Sequence, residues 1–336
     1  MGQWDEINKV NRERGKRQKL FHANKPCDKA AGEAHMNLVL DDEDATRKQI
    51  AIERDLQTKE FKASLLDDKV HVFELAEQNL YNFRWLMLDN PPKEEFDPAP
   101  FHFRWSDYLI NGRNNIAILG FRGCGKSEYV LRAFPLYCLA FPDESRDFIV
   151  ILKHGQESAE EVIKSIRKEY EASDLLKHNL VKINESSAKC FEAEVRDKSG
   201  KIIRVRIMGF GKGASIRGLR DVNRRPRVII GDDLQDSKDF VGDKVHETDW
   251  SWFKTDIKHL GSINSRIFMI GNNLGERCIM ERIRKNRKLL DFDFEVVPQA
   301  EGDWEPTWKA RDTKESILRE RDNEFCLLYT SDAADE

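Results

Sequence analysis

The chain has 336 residues, of which 40% are hydrophobic and 35% are charged, with a formal net charge of −4. This composition allows a sizeable core and excludes a global basic field for nucleic acid, so any DNA contact must come from local patches. The sequence has no run of 18 apolar residues and no apolar leader, so we expect neither a membrane span nor a secretory signal. The six cysteines lack paired spacings, which favours free thiols in a reducing cytoplasm.

Two segments precede the region with the clearest periodicity. Residues 1–40 begin with a basic stretch of little apolar periodicity, which predicts a flexible basic arm that could touch DNA or a partner protein. Residues 41–95 are rich in Glu, Lys, Leu and Ala, and they predict a helical N-terminal segment. Asn90-Pro91-Pro92 interrupts this helical pattern and indicates a boundary.

Strands and helices alternate between residues 96 and 300. Apolar runs predict strands at 115–119, 147–152, 227–230 and 266–270. Helical patterns occupy 127–140, 158–172, 246–259 and the region near 278–289. The stretches 189–195 and 201–208 predict a hairpin, with a turn at Asp197-Lys198-Ser199-Gly200. This order predicts an α/β fold with a mostly parallel sheet and helices on both faces.

A glycine-rich stretch follows the first predicted strand and precedes a predicted helix. Its sequence, Gly120-Phe121-Arg122-Gly123-Cys124-Gly125-Lys126-Ser127, meets the P-loop pattern GxxxxGK[ST] at every fixed position. Glycines let backbone N–H groups approach phosphate oxygens, and the helix N-terminus adds a partial positive charge. The nucleotide-binding residues predicted here are Gly120, Arg122, Gly123, Gly125, Lys126 and Ser127. We expect Lys126 to reach the β- and γ-phosphates of ATP and Ser127 to hold Mg²⁺.

Two acids end another apolar run, Val228-Ile229-Ile230-Gly231-Asp232-Asp233. We interpret Asp232 as the second contact to Mg²⁺ and Asp233 as the general base that orients and deprotonates the attacking water. Asp236 could serve as the base instead. With the P-loop, this strand indicates a P-loop nucleoside triphosphatase of the RecA-like (ASCE) kind, with ATP and Mg²⁺ as its ligands.

Polar residues also end the strand predicted at 266–270. Asn272 and Asn273 follow it, and a polar group at this position can sense the γ-phosphate. An ordinary Asn-containing turn after a strand would give the same pattern. Both interpretations are open at this point.

The motifs together resemble the large terminase subunit of tailed bacteriophages, the motor that packages DNA into a procapsid. The similarity covers residues 101–325 and rests on the P-loop with its internal Arg122, the stretch 211–220, the stretch 225–233 and the strand end at 270–273. In that family an arginine near the Arg-Gly motif acts on the ATP of a neighbouring subunit, and Arg217 matches it. Such an arginine finger contributes about 10³–10⁵ in rate, but a surface ion pair would also suit Arg217.

The resemblance also implies the protein's partners and its missing part. The expected partners are double-stranded DNA, the portal protein, the small terminase subunit and further copies of the chain in a homo-oligomeric ring. The motor would work in the cytoplasm of the bacterial host, transiently docked on the procapsid. Residues 301–325 resemble the linker toward a nuclease domain, so the full-length protein would also be an endonuclease. Residues 326–336 resemble a translated sequencing adapter, which suggests that the natural sequence stops at Phe325.

The chain departs from the family pattern in two places. Many members carry Glu where this chain has Asp233, which is shorter by one methylene and weakens its assignment as the base. No Gln occurs in the twenty residues before the P-loop, where an adenine-reading Gln would be expected. Trp105 and Tyr108 could stack on the base, although core packing suits both residues.

A dense basic cluster follows the last predicted strand. It comprises Arg277, Arg282, Arg284, Lys285, Arg287 and Lys288. Five of these residues (Arg282, Arg284, Lys285, Arg287 and Lys288) are candidates for sequence-independent contacts to DNA phosphates. A solvated helix face gives the same pattern.

The leading functional hypothesis is an ATP-hydrolysing motor that moves double-stranded DNA into a procapsid. The alternative is a helicase-like or DNA-repair ATPase with the same core, which would carry a second RecA-like domain. A P-loop without activity is disfavoured by the presence of Lys126, Ser127 and Asp232.

Overall fold

The computed structural model of the chain describes residues 69–88, 98–221, 224–235, 243–272 and 274–323. The predicted arm at 1–40, most of the segment 41–95 and the residues 326–336 lie outside this range. The chain divides into two compact units, Met1–Lys69 and Val70–Glu336, and the second unit contains the sheet. Within the described ranges, no helix combines the length and apolar character needed to cross a bilayer.

An eight-stranded sheet forms the centre of the second unit. Its strands are β1 (Asn115–Gly120), β2 (Phe148–Lys153), β3 (Leu180–Ser186), β4 (Cys190–Arg196), β5 (Ile202–Gly211), β6 (Val228–Asp232), β7 (Arg266–Gly271) and β8 (Phe292–Val297). Their spatial order is β3-β4-β5-β2-β6-β7-β1-β8. Six neighbouring strands are parallel to one another: β5, β2, β6, β7, β1 and β8. At the other end of the sheet, β4 pairs antiparallel with both β3 and β5. The predicted mostly parallel α/β sheet is confirmed.

Helices precede the sheet and connect its parallel strands. They are α1 (Lys69–Gln78), α2 (Leu80–Met87), α3 (Pro100–Ile110), α4 (Phe134–Ala140), α5 (Gln156–Ala172), α6 (Asp243–Trp252), α7 (Ile279–Lys285), α8 (Arg287–Leu290) and α9 (Lys314–Asn323). A two-stranded ribbon of β9 (Ala300–Glu301) and β10 (Glu305–Pro306) follows β8. Every residue of β6 and β7 is buried, as expected for parallel strands covered on both faces.

The helix after the P-loop contains a π-helical turn over Glu128–Ala133, where the sequence pattern predicts an uninterrupted helix. The amide of Phe134 donates to the carbonyl of Tyr129, five residues earlier. Pro135 follows this turn, and it has no N–H for the carbonyl four residues before it. The wider turn therefore accommodates a proline inside the helix.

Two strands of the central sheet, β3 and β8, are not predicted from the sequence. β3 is an edge strand whose residues are mostly exposed, so it lacks the apolar run of a buried strand. β8 alternates Phe292, Phe294 and Val296 with acidic or polar positions, and it follows a basic helix without a glycine turn. The predicted hairpin is present as β4 and β5, and Gly200 adopts a φ of 86° in its turn.

The parallel arrangement brings the carboxyl ends of four strands to one edge of the sheet. β1 ends at Gly120, β2 at Lys153, β6 at Asp232 and β7 at Gly271. β7 lies between β1 and β6, so one strand separates the P-loop strand from the strand that carries the acids.

Candidate functional site: a nucleotide cradle at the carboxyl edge

The P-loop leaves β1 at Gly120 and turns into the following helix. Gly123 and Gly125 adopt φ values of 78° and 87°, which side-chain-bearing residues rarely adopt. A Cβ atom on Gly120 would lie 2.8 Å from Sγ of Cys124, so the loop closes tightly over its first glycine. Local backbone demands therefore explain all three glycines. The amides of Phe121 and Cys124 donate to the carbonyls of Val297 and Phe121, so an anion would be bound by other amides of the loop.

Lys126 lies inside the loop and is only 8% exposed. Its Nζ atom donates to the carbonyl oxygens of Gly120 at 2.6 Å and Phe121 at 3.0 Å, and to Oδ1 of Asn272 at 3.2 Å. The ammonium group is thus held by the loop itself and by the tip of the neighbouring strand β7. This places Lys126 and the predicted sensor Asn272 in direct contact.

Asp232 lies at the end of β6 and is 1% exposed. Its Oδ2 atom forms an ion pair with Nζ of Lys153, which stands opposite it at the end of β2. Burial raises the pKa of Asp232, and the charge of Lys153 opposes that shift. Oδ1 of Asp232 has no hydrogen-bond partner among the described residues, so one carboxylate oxygen is available to a ligand.

Asp233 is exposed and follows Asp232 with a φ of 42°, an uncommon conformation for a residue with a side chain. Its amide donates to the carbonyl of Ile270 at 3.3 Å. Its Oδ1 atom lies 3.7 Å from the position of a Cβ on Gly271. The turn therefore directs Asp233 toward the tip of β7, beside Asn272. Asn273 and Asp236, the other candidates for sensor and base, lie outside the described residues.

These residues fit a magnesium-bound triphosphate. The glycine loop provides a phosphate cradle, Lys126 provides a cation, and Asp232 offers an unpartnered buried oxygen. Ser127, at the start of the helix, supplies the hydroxyl expected of a magnesium ligand. The described residues form no group of three or more His, Cys, Asp or Glu side chains that could hold a metal alone. Nucleotide-bound Mg²⁺ needs no such group, because phosphates and water complete its coordination.

The predicted arginines of the site are both exposed. Arg122 lies on the outer part of the P-loop. Arg217 follows the buried Ile216 and precedes Gly218, which has a φ of 72°. Nε of Arg217 pairs with Oδ1 of Asp256, while 68% of the arginine side chain stays exposed. Within one chain Arg217 thus has an acidic partner, and its predicted action on a neighbouring subunit stays a prediction.

Three residues at this site carry no motif, and the sequence analysis missed them. Lys153 is the first; a basic residue directly after a buried parallel strand was its only signal. His102 of α3 is the second. Its Nδ1 accepts from the amide of Ala99 at 3.0 Å, which leaves the proton on Nε2, 2.9 Å from the carbonyl oxygen of Cys124. Burial lowers the pKa of His102 to about 4. A neutral histidine therefore supports the back of the P-loop.

The third missed residue is Arg311, in the segment after β8. Its Nη2 atom lies 3.1 Å from the position of a Cβ on Gly123. Its guanidinium carbon lies 5.4 Å from the ring centroid of Phe121. A single arginine more than 180 residues after the P-loop has no sequence signal that connects it to the loop.

Neither aromatic candidate for base stacking is available at the loop surface. Trp105 is completely buried in contact with Phe101 and His102, which agrees with a role in the core. Tyr108 lies near the end of α3. Its carbonyl oxygen accepts a hydrogen bond from Arg266, the first residue of β7. Tyr108 is therefore near the edge of the sheet opposite to the P-loop.

The end of the basic cluster, from Lys285 onward, lies at that opposite, amino edge. α8 directly precedes β8, whose first residue stands beside the first residue of β1. Arg282 pairs with Glu247 at 2.5 Å and Arg284 pairs with Glu281 at 2.6 Å, so acids neutralise these two DNA candidates. Lys285, Arg287 and Lys288 are exposed, and no ion pair of the described residues involves them. Among the DNA candidates of this cluster, these three cations remain open for phosphate contacts.

No protein-family model matches this chain, and no curated protein matches it in sequence. Similar solved structures include the large terminase ATPase domain of Thermus phage P74-26, with 13% identity, a TM-score of 0.42, and coverage of 68% of this chain and 93% of that one. S. cerevisiae Dbp5 bound to Gle1 and IP6 is similar over 61% of this chain and 47% of that one, with 11% identity and a TM-score of 0.36. The function must therefore be inferred from the chain's own residues.

Proposed function

We propose that this chain is an ATPase that binds Mg-ATP at the carboxyl edge of its sheet and hydrolyses it to ADP and phosphate. One observation carries the proposal. Lys126 of the P-loop contacts Asn272 at the tip of β7, and Asp232 and Asp233 end the next strand with one buried carboxylate oxygen left without a partner. A cation, two acids and a phosphate cradle at one sheet edge are the parts that phosphoryl transfer to water requires.

The roles of the side chains follow from their positions. The loop amides and Lys126 bind the β- and γ-phosphates, and Lys126 exchanges its bonds with loop carbonyls for phosphate oxygens. Asp232 and Ser127 hold the magnesium ion, which would neutralise the charge that develops on those phosphates. Asp233 accepts a proton from the water whose oxygen attacks the γ-phosphorus, while the bond to the β–γ bridging oxygen breaks. Asn272 contacts Lys126, and this contact supports a role for Asn272 in responding to the γ-phosphate.

We further propose that hydrolysis drives double-stranded DNA into a procapsid, as in a large terminase subunit. The Gly-rich stretch with Arg217 and the acidic strand of Asp232 support this function through their resemblance to that family. The implied partners are DNA, the portal, the small terminase subunit and further copies of the chain in a ring, in the host cytoplasm. A nuclease activity of the full-length protein belongs to the same proposal.

The test of ATP hydrolysis uses the chain and its Lys126→Ala and Asp233→Asn variants, with release of phosphate as the readout. Both variants are expected to lose at least about a hundredfold in rate, and only Lys126→Ala is expected to lose nucleotide affinity as well. Full activity in both variants would exclude this site as the centre of hydrolysis.

The motor function is tested by mixing two inactive variants in the presence of DNA and portal. Arg217→Ala keeps the nucleotide site but lacks the arginine, and Lys126→Ala keeps the arginine but lacks the site. If Arg217 acts on a neighbouring subunit, the mixture hydrolyses ATP faster than the sum of its components. Arg220→Ala, a change on the same loop, is the matched control for Arg217→Ala. A strictly additive mixture would contradict the trans arrangement.

A further inference from the structure

A segment after the last strand of the sheet is folded back against the P-loop. Its backbone is held by the bond from Thr307 N to Gln299 O at 3.0 Å and by the β9–β10 ribbon. We call residues 299–312 the return segment. It is therefore an ordered part of the ATPase unit and lies directly beside the nucleotide site.

Trp308 attaches the return segment to the support of the P-loop. Its ring lies 4.7 Å from the ring of His102 in an edge arrangement and 6.2 Å from that of Phe101. His102 is the residue that bonds to the carbonyl of Cys124 in the loop. A change in the loop can thus reach the return segment through two consecutive side-chain contacts.

Arg311 provides a second, more direct contact. The amides of Arg311 and Asp312 both donate to the carbonyl of Trp308 at 3.0 Å, so a tight turn fixes the base of the side chain. The guanidinium carbon lies 5.4 Å from the ring of Phe121 and 5.8 Å from that of Trp308. The two rings thus bracket a planar cation. Its Nη2 atom reaches to 3.1 Å from the Cβ position of Gly123, in the middle of the phosphate cradle.

Among the described residues, the charge of Arg311 has only a weak ionic contact. Its acidic contact, from Nη1 to Oδ2 of the adjacent Asp312, is 3.4 Å long, while strong N–H···O pairs of this kind measure about 2.7–2.9 Å. The side chain is 26% exposed, so its fork of donors is accessible from the loop surface. A guanidinium with several donors in a plane matches phosphate oxygens better than a single ammonium does.

We propose that Arg311 binds a phosphate of the nucleotide held by the P-loop of the same chain, and that this contact transmits the state of the nucleotide to the return segment. The inference rests on the proposed nucleotide site. It assigns to the residues after β8 a direct part in sensing the ligand, in addition to their role as a connection. Arg311 is distinct from Arg217, which is proposed to act between subunits.

The test measures binding of Mg-ATPγS to the whole chain by calorimetry. Arg311→Gln keeps most of the stem that packs on Phe121 but removes the charge, and it is expected to bind at least about tenfold more weakly. Arg311→Lys keeps the charge without the fork and is expected to fall between the two. Lys309→Ala, two residues away with a 77% exposed side chain, is the matched control and is expected to bind as the unchanged chain does.

A second readout separates ligand contact from structural support. Hydrogen exchange of the amides of Arg311 and Asp312 is expected to slow when Mg-ATPγS binds to the unchanged chain, and this slowing is expected to disappear in Arg311→Gln at saturating ligand. Slowing that persists in Arg311→Gln, or none in the unchanged chain, would overturn the transmission role.

The outcomes distinguish the two proposals. If the unchanged chain binds no Mg-ATPγS, the proposed nucleotide site fails and the inference fails with it. If the chain binds and Arg311→Gln binds equally well, the inference alone is overturned. Equal weakening in Lys309→Ala and Arg311→Gln would also overturn it, because a general disturbance of the return segment would then explain the loss.

Discussion

The two edges of the central sheet hold their cations in different ways. At the carboxyl edge, Lys126 and Lys153 are largely covered, and each is fixed by carbonyl or carboxylate oxygens from a different strand. At the amino edge, Lys285 is exposed at the end of α7, and Arg287 and Lys288 are exposed on the short helix α8. The first group is positioned by the fold, whereas the second is positioned mainly by its own helix. A charged side chain that the fold holds in place can take part in catalysis, whereas an exposed charged side chain can bind a polyanion without sequence specificity.

The comparison also shows that charge density along the sequence is a poor guide to the site. The six cations between Arg277 and Lys288 are close in sequence, yet Arg282 and Arg284 are neutralised by neighbouring acids. The cations near the nucleotide cradle come from Lys126, Lys153 and Arg311, which are distant in sequence. The parallel strands β1 and β2 bring Lys126 and Lys153 to the same edge, because parallel strands end at the same edge of a sheet, and Arg311 is added by the segment after β8.

The largest expected effect comes from removing one cation from each edge. Lys126→Ala is expected to reduce kcat/KM for ATP by at least about a hundredfold, because the phosphates lose their buried cation. Lys285→Ala removes the same charge from the exposed helix and is expected to leave kcat/KM unchanged. Steady-state phosphate release measures both. A loss of similar size in the two variants would remove the distinction between the edges.

The next effect concerns stability at the carboxyl edge. Lys153→Met leaves Asp232 buried without its counter-ion, and we expect the free energy of unfolding to fall by about 3 kcal/mol. Asp232→Asn in the same chain should restore much of that loss, since it removes the buried charge. Urea unfolding followed by tryptophan fluorescence measures the four members of this double-mutant cycle. Strictly additive losses would mean that the pair does not interact across β2 and β6.

The sequence predicts the parts of this site whose chemistry is local. The P-loop glycines are required by backbone conformation at Gly123 and Gly125, and the acids follow an apolar strand, so both leave a pattern in consecutive residues. Asn272 is predictable in the same way, because it directly follows the apolar strand β7. The positions of most strands of the sheet, of several helices and of the hairpin are predictable for the same reason, because hydrophobic periodicity reports local burial.

The remaining parts depend on contacts that no local pattern encodes. His102 and Arg311 reach the P-loop from 22 and 188 residues away, through packing against Trp308. β3 is missed because an edge strand needs no apolar run. The π-helical turn is missed because a single proline, Pro135, is the feature that it accommodates. The return segment is expected from sequence to be a linker, and its packing on the loop depends on two aromatic contacts.

A smaller effect is expected for the histidine behind the P-loop. Burial lowers the pKa of His102 to about 4, below its ordinary value of 6.5. The unfolded chain therefore binds a proton at a higher pH than the folded chain does, and stability from this residue is full above pH 6.5 and is lost as the pH falls toward 4. The resulting loss in the free energy of unfolding amounts to at most about 3 kcal/mol.

His102→Gln removes this titration while keeping a polar side chain of similar length. The difference in unfolding free energy between the unchanged chain and His102→Gln should be larger at pH 7.5 than at pH 4.5, because carboxyl groups titrate equally in both chains. Urea unfolding at the two pH values gives this difference. A difference that does not change with pH would show that His102 titrates normally in the folded chain.

The smallest effect on catalysis is expected at the amino edge. A chain in which Lys285, Arg287 and Lys288 are all changed to Ala should hydrolyse ATP at the same rate as the unchanged chain. Its free energy of unfolding should lie within about 1.5 kcal/mol of that of the unchanged chain, since each exposed substitution contributes about 0.5 kcal/mol. Its affinity for duplex DNA should fall, and the dependence of log K on log salt should become shallower by up to about 2.7, or 0.9 for each lost phosphate contact. Measurement of DNA binding across a salt series tests this directly. An unchanged slope would show that these cations are solvated and make no contact with DNA phosphates. A reduced ATPase rate without DNA would show that the amino edge supports the nucleotide site through the sheet.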